Sequence, residues 1–299
     1  MENKAPSTEN AIFVDENRQI FRGEKALRLI RERGETKVDA RVGMVRVPTE
    51  RWQEAQRYER RTWMEGRATL TDRNEEHEDF FAGYRPLQGL RFQHAIELGC
   101  GPFTNLRKIL LRCKCEAIDL LDPLADSYLN HPYCRYRRGR LGGVLSTSLI
   151  PFSQRGGLKH PVKFLRHKRE EWSIGRFIGH PVRLHAVAIE DFAAPSSFDL
   201  CVMINVIEHC RDADAVFSRV LEMTSSGSYF VFADKIYDGP KEALLASHRF
   251  DAGHPLRFDH SLIRTFLTSN FHSIWDAQVT VAEGDEPYRA HYFIGVRKS

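Results

Sequence analysis

Residues 95–101 read Ala-Ile-Glu-Leu-Gly-Cys-Gly, an apolar run that ends in an acid and then in two glycines one residue apart. Glycine adopts positive φ without strain and has no Cβ, so Gly99 and Gly101 let the backbone turn sharply and approach a ligand at van der Waals distance. The turn falls between a strand over 94–98 and an amphipathic stretch with Leu106, Ile109, Leu110 and Leu111. That order predicts free backbone amides at a helix N-terminus, which is binding chemistry rather than packing. A second acid closes the run Glu-Ala-Ile-Asp-Leu-Leu-Asp-Pro at 116–123. A carboxylate at such a strand tip accepts hydrogen bonds from both hydroxyls of a ribose, and the following proline ends the strand. Asp122 is the candidate; Asp119 competes, but strand alternation gives it the opposite parity. The plainer use of Asp122 is to cap a short helix over 125–129.

Two cofactor classes use a turn of this kind, dinucleotides and S-adenosylmethionine (SAM). The dinucleotide fingerprint requires a third glycine, and here Pro102, Phe103 and Thr104 follow instead. Glu97-x-Gly99-x-Gly101 resembles the first motif of the class I SAM-dependent methyltransferases, although Phe103 stands where that family often has a third glycine. The resemblance implies that Glu97 helps hold the methionine ammonium and that Gly99, Cys100 and Gly101 pass beneath it. Asp122-Pro123-Leu124 is similar to the second motif, with Asp122 as the ribose ligand. A strand over 184–188 runs into Ile189-Glu190-Asp191-Phe192, which resembles the adenine-binding segment. Ala188 stands where many relatives carry an acid, so adenine recognition falls to Glu190 or Asp191 and to backbone near Ile189. The apolar run 198–205 suits a parallel strand buried on both faces, and Asn205-Val206-Ile207-Glu208-His209 is similar to the fourth motif. The likeness spans 94–298, about two thirds of the chain.

The elements needed to position these residues follow in order: a helix near 212–223, a strand at 228–233, a helix at 261–269, and strands at 274–281 and 291–297. Alternating strands and helices indicate an α/β fold with a mostly parallel sheet covered by helices on both faces. The family resemblance makes this a Rossmann-like sheet of seven strands, the last inserted antiparallel. Three regions are expected: a polar N-terminal arm over 1–48 with a small hairpin around 42–47, a helical extension over 49–93, and a SAM-binding domain over 94–299. In the extension, Thr49 is positioned to cap a helix over 51–64. Trp52, Ala55, Tyr58, Glu59, Thr62 and Trp63 follow one face of it, either docking it on the core or forming a lid. Arg51-Trp52-x-Glu54-Ala55-Gln56-x-Tyr58-Glu59 with Trp63 resembles a leader of bacterial methyltransferases of polysaccharide pathways.

At 299 residues and 42% hydrophobic the chain can bury a large core in one or two domains. Neither a membrane-length apolar stretch nor an apolar leader after Met-Glu-Asn-Lys is seen, so cytoplasm is the expected compartment. Six scattered cysteines without a Cys-x-x-Cys pair read as reduced core thiols. Residues 131–183 form an expansion with twelve Arg and Lys against two acids, a charge of +10 in a chain of net +4. Such asymmetry points to a polyanion, or simply to a solvated basic face. Its aromatics, Tyr133, Tyr136, Phe152, Phe164, Trp172 and Phe177, suit stacking on nucleic acid bases. The charge equally suits an anionic surface at the inner face of a membrane or a phosphate-bearing glycan.

If the resemblance holds, SAM brings an activated methyl, and the protein must align the acceptor and exclude water. An amine acceptor needs little more, whereas a sugar hydroxyl benefits from a base. His254, in Asp251-Ala-Gly-His-Pro-Leu, is the first candidate and His209 the second, with His260 nearby in sequence. His209 also has a plain role in steadying its turn. No metal is assigned, because Asn205 occupies the first position of the Glu-x-x-Glu-His pattern that binds a divalent ion in some relatives. The expected function is O-methyl transfer to a glycan or lipid-linked saccharide. The alternatives are an RNA methyltransferase that uses the basic insertion, and a non-catalytic SAM-fold binding module. The oligomeric state is not fixed by the sequence.

Overall fold

The computed structural model describes residues 12–14, 20–22, 37–39, 43–65, 74–131, 134–136, 140–141, 180–236, 252–281 and 288–299. Five strands run parallel in the centre of one sheet: β5 (Arg91–Leu98), β6 (Lys114–Leu121), β8 (His180–His185), β9 (Phe198–Ile204) and β10 (Thr224–Ile236). Two more, β12 (Phe271–Val281) and β13 (Tyr288–Arg297), close one side, with β13 inserted antiparallel between β10 and β12. The sheet order is β12-β13-β10-β9-β5-β6-β8-β7. These are the seven strands read from the sequence. An eighth, the two-residue β7 (Arg140–Leu141), pairs antiparallel at the far edge.

The central strands are apolar on both faces, and each face has its own cover. On one, Ile96, Leu98 and Met203 meet Val216, Phe217 and Val220 of α5 (Ala213–Met223) and Ile263 and Phe266 of α6 (His260–Asn270). Both helices start at aspartate caps: Asp212 accepts from Ala215 N–H and Asp259 from Ser261 N–H. On the other face Ala95, Leu200, Val202 and Val231 pack against Phe81, Tyr84, Leu87 and Ile109. These come from the 3₁₀ segment Ala82–Leu87, the residue before it, and α3, a single turn over Leu106–Ile109.

Several expectations change in detail. Strand β8 ends at His185, so Ala188 lies in a loop before the 3₁₀ turn Ile189–Asp191. The helix after the glycines is only the four-residue α3. In the extension, α1 spans Thr49–Met64 with Pro48 at its N-cap and no side-chain cap, so Thr49 lies inside the first turn and does not cap it. A second helix, α2 (Asn74–Phe80), follows. The N-terminal arm contributes β1 (Ile12–Val14) paired with β2 (Ile20–Arg22), and a small sheet of β3 (Lys37–Asp39), β4 (Gly43–Arg46) and β11 (Arg257–Phe258). The rest of the arm, and most of the basic expansion with Tyr133, Phe152, Phe164, Trp172 and Phe177, lie outside the described residues. No helix among the described residues is long and apolar enough to cross a membrane.

Asp119 within β6 and Asp122 just past its end separate as alternation requires. Asp119 turns to the α5–α6 face, where Arg183 Nε and Nη2 donate to it at 2.8 Å each, His185 Nε2 lies 2.8 Å away, and the His94 ring contacts it. Burial alone would raise the Asp119 pKa, but the hydrogen bonds from Arg183, His185 and His94 outweigh it and hold the carboxyl below its usual value. A depressed pKa contributes stability that is present above the unfolded-state value and lost as pH falls through the folded one. Asp119→Asn is therefore expected to cost about 1–3 kcal/mol at pH 7, with a penalty that shrinks below pH 4. Urea unfolding of both proteins across that range checks it, and a pH-independent difference would show that the ionised carboxylate is not the source.

Candidate active site

The strand order reverses between β5 and β9: the chain moves from β5 outward to β6 and β8, then returns to lie on the other side of β5. Crevices in open α/β sheets form at the carboxyl ends of the strands flanking such a point. A cavity of about 370 Å³ opens there, within the range of small-molecule sites. Its lining includes Gly99, Cys100, Gly101, Asp122, Ile189, Glu190, Asn205, His209 and His254, residues that the sequence separates by up to 155 positions.

The floor is the glycine turn. Gly99 and Gly101 adopt φ of +65° and +52°. A Cβ on Gly99 would lie 2.5 and 2.7 Å from the two methyls of Val206, whereas one on Gly101 would meet nothing within 4 Å. The first glycine is thus required by close approach to the β9 turn, and the second faces open cavity. Tyr136 Oη donates to the Gly101 carbonyl at 2.9 Å, and Arg135 N–H to that of Pro102 at 2.9 Å. Both residues are fully buried supports of the turn, not the exposed polyanion contacts that the charge count of 131–183 suggested. Arg183, also in that count, is engaged by Asp119.

Glu97 is placed beneath the turn, apart from the ligand role that the resemblance implies. It is buried and is not among the lining residues. Its carboxylate accepts from Asn105 N–H at 2.8 Å, Asn105 Nδ2 at 3.1 Å, Leu106 N–H at 3.1 Å and the Thr104 hydroxyl. It therefore caps the start of α3, and the amides that the sequence left free for a ligand are already paired. Burial pushes its pKa up, while the same donors pull it back.

Asp122 lies at the tip of β6 beside the floor. Its Oδ2 accepts from Gly101 N–H at 3.0 Å and its Oδ1 from Leu124 N–H at 2.8 Å, the latter at the start of the short helix α4 (Ala125–Tyr128). Each carboxylate oxygen keeps a second lone pair for a ligand hydroxyl. Burial pushes its pKa up to about 6. Glu190 lines the cavity, but its Oε1 accepts from Arg211 N–H at 2.8 Å and Asp212 N–H at 3.2 Å, and Asp191 faces solvent against Arg211. Backbone near Ile189 remains for a flat ring. Asn205 sits at φ +58°, its N–H donating to Ala233 carbonyl at 2.7 Å.

The opposite end gathers titratable groups from distant segments. Pairing of β4 with β11 and the Leu256 N–H to Glu208 carbonyl bond of 3.2 Å fold the loop before β11 against the β9 turn. This brings the His209 and His254 rings to a centroid distance of 4.4 Å. His209 Nδ1 lies 3.0 Å from the Gly253 carbonyl. Glu208, almost fully buried, is the hub behind them: its Oε1 lies 3.2 Å from Lys235 Nζ and 3.3 Å from His254 Nε2, and its Oε2 3.7 Å from Arg257. His260, by contrast, bonds His291 in the core. Asp234 accepts from Val206 and Ile207 N–H, and burial, with the Glu208 charge second, pushes its pKa up to about 6.

Helix α1 roofs this end with Trp52, Gln56, Glu59 and Trp63; Gln56 Nε2 donates to the His209 carbonyl at 3.2 Å. Its Glu59 Oε1 lies 3.8 Å from His209 Nδ1, and donor atoms of Glu59, His209 and His254 all fall within 4.8 Å of one another. The sequence reading placed Glu59 on a stripe that either docks on the core or forms a lid, without assigning it to the histidines, and did not single out Lys235 or Asp234. The signal available for these two was an acid and a base, Asp234-Lys235, directly following the strand expected at 228–233.

No family model and no curated protein matches the chain. Solved structures do resemble it. N-methyltransferase NodS from Bradyrhizobium japonicum WM9, in complex with S-adenosyl-L-homocysteine, has 15% identity and a TM-score of 0.46, covering 82% of this chain and 98% of that one. Burkholderia thailandensis 1,6-didemethyltoxoflavin-N1-methyltransferase has 11% identity and a TM-score of 0.45, covering 89% and 100%. Magnesium protoporphyrin IX methyltransferase from Synechocystis PCC 6803 has 10% and 0.45, covering 83% and 96%. With identities this low and TM-scores below 0.5, the functional reading rests on the pocket itself.

Gly99→Ala is expected to destabilise the chain by about 2–4 kcal/mol, since it adds both an unfavourable φ and overlap with Val206. Adding Val206→Ala should recover the overlap part and leave about 1 kcal/mol of backbone strain. Thermal unfolding of the single and double variants measures this; no recovery would mean that Val206 is not the contact that excludes a side chain.

Proposed function

We propose that this chain is a SAM-dependent methyltransferase acting on a hydroxyl, with a glycan or lipid-linked saccharide as the acceptor class. The observation that carries the proposal is the presence, in one cavity, of a glycine turn with Asp122 at its edge and an imidazole pair at the other end. SAM, when bound, supplies a methyl group on a positively charged sulfonium. The turn at Gly99–Gly101 gives the methionine portion a backbone floor open on the Gly101 side. Asp122 accepts the ribose hydroxyls through the lone pairs that Gly101 and Leu124 leave. Ile189 and the backbone beside it face the adenine, with Asn205 between the two ends. Glu97 acts from below, by holding the turn in shape rather than by touching the ammonium.

Charge supports a cationic ligand. Glu59, Glu208 and Asp234 lie at the histidine end and Asp122 at the floor, with Lys235 and Arg257 as cations in contact with Glu208. These four carboxyl groups outnumber the two cations named, which favours a sulfonium.

At the acceptor end His254 is the first group to receive the hydroxyl proton, with His209 second. Glu208 Oε1 lies 3.3 Å from His254 Nε2, where it orients the ring. Two imidazoles would be superfluous for a neutral amine, which is what favours oxygen over the nitrogen acceptors named for two of the resembling structures. Trp52, Tyr58 and Trp63 add flat apolar surfaces suited to a sugar ring. RNA methylation is second: it depends on the basic expansion, of which Arg135 is buried and Arg183 is paired.

Two measurements test the reading. Calorimetric titration with SAM should give binding that Asp122→Ala weakens by about 1–3 kcal/mol, and an absence of heat or thermal upshift in the wild type overturns it. With tritiated SAM, label should enter a polysaccharide or glycolipid fraction, and His254→Ala should lower turnover about 10²-fold or more with SAM affinity retained. Label found only in RNA would replace the acceptor, and full activity of the variant would remove His254 as the base.

A further inference from the structure

The imidazole pair has a third companion that the proton-transfer reading does not use. Glu59 comes from α1, His209 from the turn after β9 and His254 from the loop before β11, and their donor atoms converge to within 4.8 Å of one another on the cavity wall. We propose that Glu59, His209 and His254 form a binding site for a divalent first-row transition ion of the zinc, cobalt or manganese type.

Four features support it. The donor set is two imidazoles and one carboxylate, which suits borderline divalent ions and is poor for magnesium or calcium, both of which prefer all-oxygen surroundings. Ligands about 2.1 Å from one metal lie roughly 3–4 Å apart, so side-chain adjustment alone closes the cluster. An oxygen already sits against one nitrogen of each ring, the Gly253 carbonyl at 3.0 Å from His209 Nδ1 and Glu208 Oε1 at 3.3 Å from His254 Nε2. Outer partners of this kind orient metal-binding imidazoles. Finally, the acidic surroundings described above favour a dication.

Three protein ligands leave coordination positions open toward the cavity. The role of such an ion rests on the methyltransferase reading, whereas its binding does not. An acceptor hydroxyl bound to the ion through oxygen becomes more acidic. Its O–H bond breaks with the proton passing to solvent water at the mouth, and the oxygen forms its bond to the methyl carbon as the carbon–sulfur bond breaks and the electron pair stays on sulfur. Without the ion, His254 takes that proton. The loaded site would therefore exchange a base for a Lewis acid at the same place.

The test uses the full chain, stripped with a chelator and dialysed, without SAM. Titration with Co²⁺, followed by visible absorption, and with Zn²⁺ by calorimetry should give one equivalent bound. Glu59→Gln, His209→Gln and His254→Gln should each weaken both by at least about tenfold, while His272→Gln, on an exposed position of the edge strand, leaves them unchanged. Circular dichroism melting of every variant confirms that the comparison is between folded proteins. Absence of a cobalt band in the wild type overturns the site, as does a band of full affinity in the Glu59→Gln and His254→Gln proteins. Cobalt binding in a protein that fails to bind SAM would keep the metal site and remove the methyltransferase reading, so the two fail separately.

Discussion

A single buried carboxylate keeps the pocket floor in place. Glu97 is the penultimate residue of β5, the strand at which the sheet changes direction, and takes donors from Thr104, Asn105 and Leu106. Those residues follow the two glycines, so the carboxylate ties the far end of the turn to the strand that begins it. Without such an anchor, a loop with residues at positive φ (Gly99, Gly101, Thr104) would lose its shape, because these conformations persist only where surrounding contacts over-determine them. Leaving the paired amides unsatisfied in the interior would cost about 1–3 kcal/mol each. The glycines provide the freedom to make the turn, and Glu97 removes that freedom once the turn is made. Tyr136 adds the third constraint, from a segment 35 residues away.

That arrangement explains why some of the site could be read from the chain and some could not. Backbone demands leave strong local marks: a glycine pair after an apolar run, a proline after an acid, a near-continuous apolar strand at 198–204. The parity argument separating Asp122 from Asp119 is local too, and the two carboxylates do face different surroundings, one the cavity and the other Arg183, His94 and His185. The direction in which Glu97 points is not local. It is set by where residues 104–106 return, and a carboxylate directed at a ligand and one directed at amides of its own loop look alike in sequence. Tyr136 and Arg135 were counted with a basic, aromatic stretch because composition averages over neighbours, whereas burial is decided residue by residue.

The histidine end was legible only in part, for a topological reason. His209 follows a recognisable strand, but His254 reaches it through two short strands, β4 and β11, whose pairing spans over two hundred residues and involves only two residues of each. Pairings this short leave almost no periodicity to detect. Glu59 is subtler: its spacing with Trp52, Ala55 and Trp63 predicts a face, and the face exists, yet Ala55 alone in α1 is fully buried. The stripe borders a cavity instead of filling a core, so the same pattern that signals packing delivers a carboxylate to the imidazoles.

The roof and the floor also differ in how firmly they are held, and this bears on how a large acceptor could enter. The floor is fixed by buried hydrogen bonds and by the Lys108–Glu78 ion pair, at 3.3 Å, which ties α3 to α2. The roof helix α1 is held by part-buried ties from Arg51 to the Ala252 carbonyl and Gln56 to the His209 carbonyl, by the edge-on Trp63–Phe103 contact, and by Ala55, its one fully buried residue. Elements with few buried apolar contacts have the lowest local opening free energies. Opening at α1 would withdraw Glu59, Trp52 and Trp63 together while the glycine turn, Asp122 and the two histidines stay on the sheet. On the proposed reading, a floor held by buried bonds and a roof with few of them would suit an acceptor larger than the cavity, since only the roof would have to move to admit it.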